Sequence, residues 1–459
     1  MTTDGLGQDE LRKKKVTVIG GARSGLAVAK LLKSTGALVF LSDKAPRESM
    51  QQTTEELERD DIAYEFGGNT QKALDSDTIV LSPGVPLDIP IVKEAQARGK
   101  KVVGEIEVAS WSCRAPIVAV TGTNGKTTTT ALLGRIFADA GRPSAVAGNI
   151  GTAFSQIVKG LDDRSTAILE ISSFQLDTIA TFRPKVAVLL NITPDHLDRY
   201  GHSFEKYIAS KCRVFENQIQ DDTVVYNFDD DIVRGNVETR VHASVRKLSF
   251  SLRHQVAEGA FVHKDELRVR FGDKETMIVG VDDISIKGSH NLMNAMAAAL
   301  AAKVMGIPTA SLRATLKNFK GVEHRLEFVR EVHGVTYVND SKATNVDSVW
   351  YALQSFSKPI VLLLGGQDKG NDYTRLVDIV RKHVKSIVAI GESADKVARA
   401  FSAVTPVRMA DSMDDAVKLA AALASPGEVV LLSPACASFD WFENYEHRGR
   451  VFKELVAKL

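Results

Sequence analysis

The feature that most constrains the fold is a glycine-rich loop between a strand-like run and a helix-like run. The apolar, β-branched residues 117–120 predict a buried strand, and the sequence from Thr127 to about Gly141 predicts a helix. Glycine lets backbone N–H groups converge on an anion, and the helix N-terminus adds a partial positive charge. The stretch therefore predicts a strand–loop–helix unit that binds phosphate. Its loop residues are Gly122, Thr123, Asn124, Gly125, Lys126, Thr127 and Thr128.

The end of this loop has the chemistry of a nucleoside triphosphate site. Lys126 is placed to reach the β- and γ-phosphates, and a hydroxyl of Thr127 or Thr128 is placed to face Mg²⁺. The first glycine of the full phosphate-loop pattern is replaced by Val120. The alternative is an ordinary strand–turn–helix with a surface lysine, but the surrounding pattern favours phosphate binding.

Composition indicates an ordinary globular protein. The 459 residues suggest roughly two to four domains. A net charge of +1 gives no sign of a nucleic-acid partner, and no apolar run is long enough to span a bilayer. Three scattered cysteines favour a reducing compartment and argue against a zinc site. With no signal-peptide pattern at the N-terminus, we expect a cytoplasmic protein without membrane insertion.

The N-terminal segment has a strand, a glycine-rich turn and a helix of its own. Strand 16–19 leads into turn 20–25, and the second strand ends at Asp43. A third strand leads into Ser82-Pro83-Gly84, at the edge where open α/β sheets bind ligands. The middle glycine of the dinucleotide fingerprint is replaced by Ala22. These residues predict a nucleotide-type ligand, with NAD as one candidate.

Further candidate residues follow the central loop. Glu170 lies inside an apolar run, and a buried strand-end carboxylate next to a phosphate loop is the expected partner of Mg²⁺. His196 lies in a polar cluster after a strand, and Lys211 lies on a predicted helix. Short alternating runs from Asn236 to about Lys287 predict a small antiparallel sheet. In the last third, polar residues follow three predicted strands.

Taken together, these segments resemble the Mur ligases, ATP-dependent amide-bond-forming enzymes of peptidoglycan synthesis. NDSKATN and SPACASFD resemble the branch that adds D-glutamate to UDP-MurNAc-L-Ala, while signatures of the diaminopimelate-, lysine- and alanine-adding branches are absent. The motifs that carry the resemblance are GTNGKTTTT, LEISSFQLD, NITPDHLDRY, GSHNLMNAMAA, HRLE, NDSKATN and SPACASFDWFENYEHRG.

We expect a monomer, and the resemblance implies an α/β protein of three domains. These are a Rossmann-like UDP-binding domain (1–105), a central ATP-binding domain with a small antiparallel sheet (106–321) and a C-terminal Rossmann-like domain (322–459). It also implies a UDP-sugar in the first domain instead of NAD. Lys44 lies in the uridine region, where members of the family vary.

The resemblance assigns roles to further residues. Lys126, Glu170, His196 and Lys211 are expected to be catalytic. The nucleotide would be held by the central loop together with Asn291, Arg325, Asp340 and Lys342. The UDP substrate would be held by Arg23, Ser24, Gly25, Asp43, Ser82, Gly84, Asn149 and His196. D-Glutamate would be held by Thr344, Lys369, Ser438, Phe439 and Tyr445. Two Mg²⁺ ions would be bound by Thr127, Glu170, His196 and a carbamylated Lys211.

Other functions stay open at this point. A folylpolyglutamate-type ligase shares the ATP-binding core, although the glycine-rich turn 20–25 argues against it because that family lacks the UDP-binding domain. An NAD-dependent dehydrogenase would explain only this turn and not Lys126 with Glu170. A phosphate-loop module without enzymatic activity would leave the polar strand ends of the last domain without a role.

Overall fold

The computed structural model describes residues 11–368 and 370–459. The chain is an α/β protein with three sheets. It divides into two compact units, one of residues 1–283 and 293–317 and the other of residues 284–292 and 318–459. Among the described helices, none is long and apolar enough to cross a membrane.

The first sheet is parallel throughout, with strand order β3-β2-β1-β4-β5. The order reverses direction at β1, whose carboxyl end is therefore a place where such sheets bind ligands. The strands are β1 (Lys15–Ile19), β2 (Leu38–Asp43), β3 (Ala63–Phe66), β4 (Thr78–Leu81) and β5 (Lys101–Gly104). The helices of this region are Arg23–Ser34, Gln51–Arg59, Pro90–Ala97 and Glu105–Trp111.

The central sheet has nine strands in the order β14-β13-β12-β11-β10-β9-β6-β8-β7. It is parallel from β7 to β12, and β12, β13 and β14 pair in antiparallel fashion at one end. The strands are β6 (Ile117–Thr121), β7 (Ser144–Gly148), β8 (Thr166–Glu170), β9 (Val186–Leu189), β10 (Thr223–Asn227), β11 (Arg246–Ser251), β12 (Gly259–His263), β13 (Glu266–Phe271) and β14 (Lys274–Gly280). The helices are Lys126–Asp139, Phe154–Ile157, Ser173–Leu176, Phe204–Cys212, Asp231–Arg240, Ser289–Val304 and Thr309–Asn318.

The third sheet has six strands in the order β15-β16-β20-β17-β18-β19, and only the β15–β16 pair is antiparallel. The three strands whose ends carry the predicted polar residues, β16, β20 and β17, are therefore direct neighbours. The strands are β15 (Glu327–Val332), β16 (Val335–Asn339), β17 (Ile360–Gly365), β18 (Val384–Ile390), β19 (Val407–Met409) and β20 (Val429–Leu432). The helices are Val346–Gln354, Val377–His383, Ala394–Phe401, Met413–Leu423 and Tyr445–Val456.

The central strands are buried on both faces, as parallel strands covered by helices require. All five residues of β6 and all five of β8 are buried. This explains why both read as near-continuous apolar runs without alternation, and why Glu170 at the end of β8 needs polar partners.

The segment between the first two sheets is a short helix held by two buried carboxylates. Glu107 accepts five hydrogen bonds, four from the backbone and side chains of residues 180–182 and one from the Trp111 indole. Glu105 accepts a bond of 2.6 Å from the Ser155 backbone N–H. The helix Glu105–Trp111 is thus bonded directly to the central part of the chain.

The predicted α/β architecture is confirmed, but one element differs from its prediction. Antiparallel pairing occurs within the predicted segment, between β12, β13 and β14, yet these strands continue the central sheet and are not a sheet of their own. The first part of the predicted antiparallel segment, Asn236 to Arg240, is helical, and β11 pairs in parallel with both neighbours. Alternation marks a strand with one covered face, but it does not reveal the direction of its partner.

Candidate functional site

The glycine-rich loop lies at the carboxyl end of β6, between the ends of β8 and β9. Asn191, which follows β9, holds the loop in shape. Its backbone carbonyl accepts from Thr123 N–H at 2.9 Å and its side-chain oxygen accepts from Asn124 N–H at 2.8 Å. Its side-chain amide donates to the Asn124 carbonyl at 3.0 Å. The sequence contained Asn191 in a polar cluster but gave no reason to single it out.

Gly125 is needed at the last turn of the loop because its φ is +85° and a Cβ would lie 2.3 Å from Asn294 Oδ1. The helix Lys126–Asp139 begins directly after it and has no side-chain cap. Its first N–H groups therefore point toward the strand ends with their partial positive charge. This is the geometry of an anion site at a helix N-terminus.

Lys126 and Lys211 meet at one backbone carbonyl. Each ammonium nitrogen lies 2.8 Å from the Gly122 carbonyl oxygen, and Lys126 also donates to the Thr123 carbonyl at 2.7 Å. Lys211 is only 1% exposed, and its Nζ lies 4.7 Å from the centre of the Tyr207 ring. Burial, together with the nearby positive charge of Lys126, holds the pKa of Lys211 well below its usual range.

Glu170 ends β8 next to the loop and is 2% exposed. Its Oε1 accepts from the Asn149 side-chain amide at 2.8 Å, which brings two predicted site residues together. Thr127 and Thr128, in the first turn of the neighbouring helix, are also buried. Carboxylate and hydroxyl oxygens are the donors that Mg²⁺ prefers, so this donor set suits the predicted ion.

The polar cluster after β9 folds around an aromatic ring. His196 lies edge-on to Phe174 with ring centres 5.1 Å apart, and the Arg199 guanidinium lies 3.9 Å from the centre of the same ring. Arg199 also donates to the Val85 carbonyl at 3.1 Å. His196 has a left-handed backbone conformation, with a φ of +52°. Arg199 was not predicted as a site residue, and no signal in the sequence linked it to Val85.

Six of the eight predicted UDP-substrate residues line a cavity of about 410 Å³ at the carboxyl edge of the first sheet. Lys44, Asn69 and Gln175 also line it, although the sequence indicated no substrate role for Asn69 or Gln175. His196 and Gly25 are not among its lining residues. The predicted residues that do line it are Arg23, Ser24, Asp43, Ser82, Gly84 and Asn149.

Three of the predicted substrate residues also build the turn itself. Asp43 accepts from the Gly21 and Ala45 backbone N–H groups, and the Ser82 hydroxyl donates to the Gly20 carbonyl at 2.9 Å. At Gly25, a Cβ would lie 1.7 Å from the Gly20 carbonyl oxygen. Gly25 therefore permits the close contact between helix and turn and does not itself face the cavity.

In the second unit, one of the predicted nucleotide residues is a buried acid, Asp340, which is 3% exposed. Its carboxylate accepts from Leu326 N–H at 3.2 Å and from the Ser433 hydroxyl at 2.8 Å. Burial raises the pKa of Asp340 to about 6, with Arg325 opposing the shift. Burial, together with the positive charge of Arg325, lowers the pKa of His290 to about 4. Asn291 follows His290 and donates to the Lys287 carbonyl at 2.9 Å.

The predicted D-glutamate residues that the structure describes lie on neighbouring segments of the second unit. Lys342 Nζ is 5.1 Å from the centre of the Tyr445 ring, and Ser341 donates to the Tyr445 carbonyl at 2.8 Å. Ser438 is buried, whereas Phe439 is 65% exposed. Thr344 is half-buried after β16. Lys369 lies outside the described residues.

Three family models of known proteins match successive segments of this chain. Residues 14–104 match the family model "Mur ligase MurD-like, N-terminal domain", residues 120–302 match "Mur ligase middle domain", and residues 324–436 match "Mur ligase, glutamate ligase domain". A UDP-N-acetylmuramoylalanine–D-glutamate ligase of Salinibacter ruber is 50% identical, covering 98% of this chain and 99% of that protein. A protein of the same name from Chloroherpeton thalassium is 43% identical, with coverages of 98% and 99%.

Among solved structures, the UDP-N-acetylmuramate–alanine ligase of Thermotoga maritima has a similar fold. Its TM-score is 0.61 at 18% identity, covering 97% of this chain and 99% of that one. At this identity the likeness concerns the fold alone. Three family models in order and relatives of up to 50% identity over nearly full length establish that the chain belongs to the Mur ligase family.

Proposed function

We propose that this protein joins D-glutamate to UDP-MurNAc-L-Ala with the conversion of ATP to ADP and phosphate. The observation that carries the proposal is the identity of 50%, over nearly full length, with a relative named for this reaction. The arrangement of Lys126, Glu170 and Lys211 at the ends of β6 and β8 is compatible with it.

The reaction needs an activated carboxyl group, because a carboxylate is a poor acylating agent. A carboxylate oxygen of the L-alanine attacks the γ-phosphorus of ATP, the bond to ADP breaks, and an acyl phosphate forms. The amine of D-glutamate then attacks the acyl carbon, loses a proton, and phosphate leaves. Most of the catalysis of such steps comes from positioning and charge stabilisation.

The central loop and its lysine would supply these effects for the triphosphate. Lys126 is held by the Gly122 and Thr123 carbonyls at the start of a helix without a side-chain cap. From there the ammonium would neutralise charge on the β- and γ-phosphates, while the helix N–H groups donate to phosphate oxygens. Asn191 keeps the loop in the required shape.

Magnesium binding is part of the proposal. Glu170, Thr127, His196 and a carbamate on Lys211 would hold two Mg²⁺ ions, which supply charge neutralisation on the triphosphate when bound. Lys211 reacts with CO₂ only as a neutral amine, and its burial beside Lys126 favours that form. The carbamate would add an anionic oxygen ligand where the chain supplies few.

The UDP substrate would occupy the cavity of about 410 Å³ at the first sheet. Arg23 and Lys44 are the cations on its wall, and Ser24, Gly84 and Asn149 add polar groups. Asp43, Ser82 and Gly25 shape the turn that forms the floor. Because Asn149 also donates to Glu170, it links the substrate cavity to the proposed metal site.

The second unit would supply the remaining groups. Asn291 and Asp340 would hold adenine and ribose, and Arg325 and Lys342 would bind phosphates. Thr344, Ser438, Phe439 and Tyr445 would bind D-glutamate together with Lys369, whose role remains a prediction from sequence. We further propose that the three domains comprise residues 1–105, 106–321 and 322–459. We also propose that the protein is a cytoplasmic monomer, and its three cysteines are free thiols.

The test is a phosphate-release assay with the purified protein. We expect phosphate from ATP only when Mg²⁺, UDP-MurNAc-L-Ala and D-glutamate are all present, with a product one glutamyl residue heavier by mass spectrometry. Release with UDP-MurNAc and L-alanine, or with a folate and L-glutamate, would instead assign the chain to another ligase branch. Release without any amino acid would contradict ligation.

A further inference from the structure

Arg448 is a buried cation that the proposed reaction does not use. It lies in the second turn of the helix Tyr445–Val456 and is 1% exposed. Nε donates to the Ser341 hydroxyl at 3.0 Å and Nη2 to the Ser341 carbonyl at 2.8 Å. Nη1 donates to the Ala437 carbonyl at 3.1 Å and Nη2 to the Cys436 carbonyl at 3.1 Å. One guanidinium group thus bonds two separate loops.

These two loops carry the predicted ligand residues of the second unit. Ser341 lies between Asp340 and Lys342 in the loop after β16, and Ala437 directly precedes Ser438 in the loop after β20. β16 and β20 are hydrogen-bonded neighbours, so both loops leave the same edge of the sheet. Arg448 is therefore bonded to the loop that carries proposed nucleotide residues and to the loop that carries proposed D-glutamate residues.

The partners of Arg448 are unusual for a buried charge. All its hydrogen-bond acceptors are backbone carbonyls or a hydroxyl, and within the described residues no carboxylate lies at salt-bridge distance. Burial lowers the pKa of Arg448 to about 10, so the group stays charged at neutral pH. Asp440 and Asp340 favour the charge, but only from beyond salt-bridge distance. Burying such a charge is costly, and apolar packing at such a site is often as stable. Stability alone is thus a weak reason to have arginine here.

What arginine offers is a planar set of donors in fixed directions. Lysine places its donors on one nitrogen and cannot reach four acceptors on two loops in the same way. The next residue, Gly449, allows the helix to come close to β16, because a Cβ would lie 2.2 Å from His324 Nδ1 and 3.1 Å from Asn339 Nδ2. Arg448 and Gly449 together set the distance between this helix and the two loops.

We propose that Arg448 is a positioning residue that holds the loops 340–344 and 436–438 in the arrangement that binds D-glutamate and ATP. The inference rests on the proposed function. It assigns no contact between Arg448 and substrate. It predicts that replacing Arg448 raises the KM values for D-glutamate and ATP and leaves the KM for UDP-MurNAc-L-Ala nearly unchanged.

The experiment compares Arg448→Lys with Arg450→Lys in the full-length protein. Arg450 is an exposed arginine in the same helix and serves as the matched control. For Arg448→Lys we expect the KM values for D-glutamate and ATP to rise roughly tenfold or more, as expected for lost hydrogen bonds to a charged group. The KM for UDP-MurNAc-L-Ala should stay within about twofold, since its proposed site is at the first sheet. Arg450→Lys should change none of the three.

Two more variants keep the test decisive if Arg448→Lys folds poorly. Ser341→Ala removes only the hydroxyl that joins Nε to the Tyr445 carbonyl, and it should raise the same two KM values by a smaller factor. In Arg448→Ala, millimolar guanidinium should restore part of the affinity for D-glutamate, whereas equal concentrations of NaCl should not. Restoration by both salts would overturn the proposal.

The outcomes separate this inference from the proposed function. If the unmodified protein does not ligate D-glutamate, the proposed function fails. If the unmodified protein is active but folded Arg448→Lys and Ser341→Ala keep all three KM values, Arg448 is purely structural and the inference fails. A parallel rise of all three KM values would overturn it as well.

Discussion

Two glycine-rich turns in the first unit look alike in sequence but differ in the charges around them. Each follows a parallel strand and precedes a helix that lacks a side-chain cap. In the first turn, Gly21 N–H already donates to the Asp43 carboxylate, and the turn opens into a cavity of about 410 Å³. In the second turn, Lys126 and Lys211 share one carbonyl.

The glycines allow a similar path of the backbone in both turns, whereas the charges beside them differ, and we expect these charges to select the ligand. The negative charge of Asp43 on the first turn would repel a phosphate next to Gly21. The cations near this turn, Arg23 and Lys44, line the wall of the cavity. In the second turn, the Asn124 N–H donates to the neutral side-chain oxygen of Asn191, and the Asn191 amide donates to the Asn124 carbonyl. The second turn is therefore the one suited to a triphosphate.

The largest expected effect concerns Lys211, which lies on the helix Phe204–Cys212 and donates to the Gly122 carbonyl of the second turn. Lys211→Ala should reduce kcat by about 10³ or more, because it removes a ligand from the charge-stabilising site. Acetate and other small carboxylates should restore part of the activity by standing in for the proposed carbamate. Lys206→Ala, an exposed lysine of the same helix, is the control and should be fully active. Rescue by small amines instead of carboxylates would show that Lys211 acts as an ammonium group.

The next prediction tests whether the ammonium group of Lys126, at the end of the second turn, stabilises the charge of the triphosphate. Lys126→Ala should lower kcat by about 10²–10³, the usual cost of losing one group that stabilises transition-state charge. Steady-state kinetics and circular dichroism of the purified variant provide the measurement. A folded variant with near-normal turnover would contradict the assignment of this loop.

A third prediction concerns the shape of the first turn. Gly25→Ala should destabilise the protein by about 1–3 kcal/mol, the usual cost of overpacking, because its Cβ would meet the Gly20 carbonyl oxygen. Gly84→Ala is the control, since no atom lies within 4 Å of a Cβ at that position. Thermal melting of both variants gives the comparison. Equal melting temperatures would show that the turn adapts.

A fourth prediction concerns the cation at the wall of the first cavity. Arg23→Ala should raise the KM for UDP-MurNAc-L-Ala about tenfold while kcat and the KM for ATP change little, since one charge-assisted hydrogen bond is lost. Lys93→Ala, an exposed lysine on another helix of the same region, should leave all three values unchanged. If the KM values for both substrates rise together, Arg23 does not belong to the UDP-substrate site alone.

The last prediction extends the comparison to the second unit, whose predicted nucleotide site contains a buried acid. The pKa of Asp340 is raised from its ordinary 3.8 to about 6, so its neutral form favours folding. Its contribution to stability is complete at low pH and is lost as the pH rises through about 6, at up to about 1.4 kcal/mol per pH unit. Asp340→Asn should remove this slope between about pH 4 and pH 6 in melting experiments. An unchanged slope would show that another group titrates there.

The sequence predicted the backbone of these sites far better than their polar contacts. Apolar runs and glycines were enough to place β6 and the central loop, because burial and chain reversal leave a local pattern. The contact of Lys211 with Gly122 could not be read from periodicity, since it joins distant segments through one hydrogen bond. The roles of Asn191, Arg199 and Arg448 were missed for the same reason. A buried polar side chain is defined by partners that only the folded chain brings near.

The helix Glu105–Trp111 has a consequence for any attempt to take the protein apart. Cutting the chain after Gly104 would keep Glu107 in the second fragment, together with the backbone N–H groups of residues 180–182 that donate to it. Replacing Glu107 in that fragment would leave three backbone N–H groups of residues 180–182 without their acceptor, each at a cost of about 1–3 kcal/mol if buried. In domain-exchange experiments, this helix therefore has to travel with the nucleotide-binding part of the chain and not with the N-terminal part.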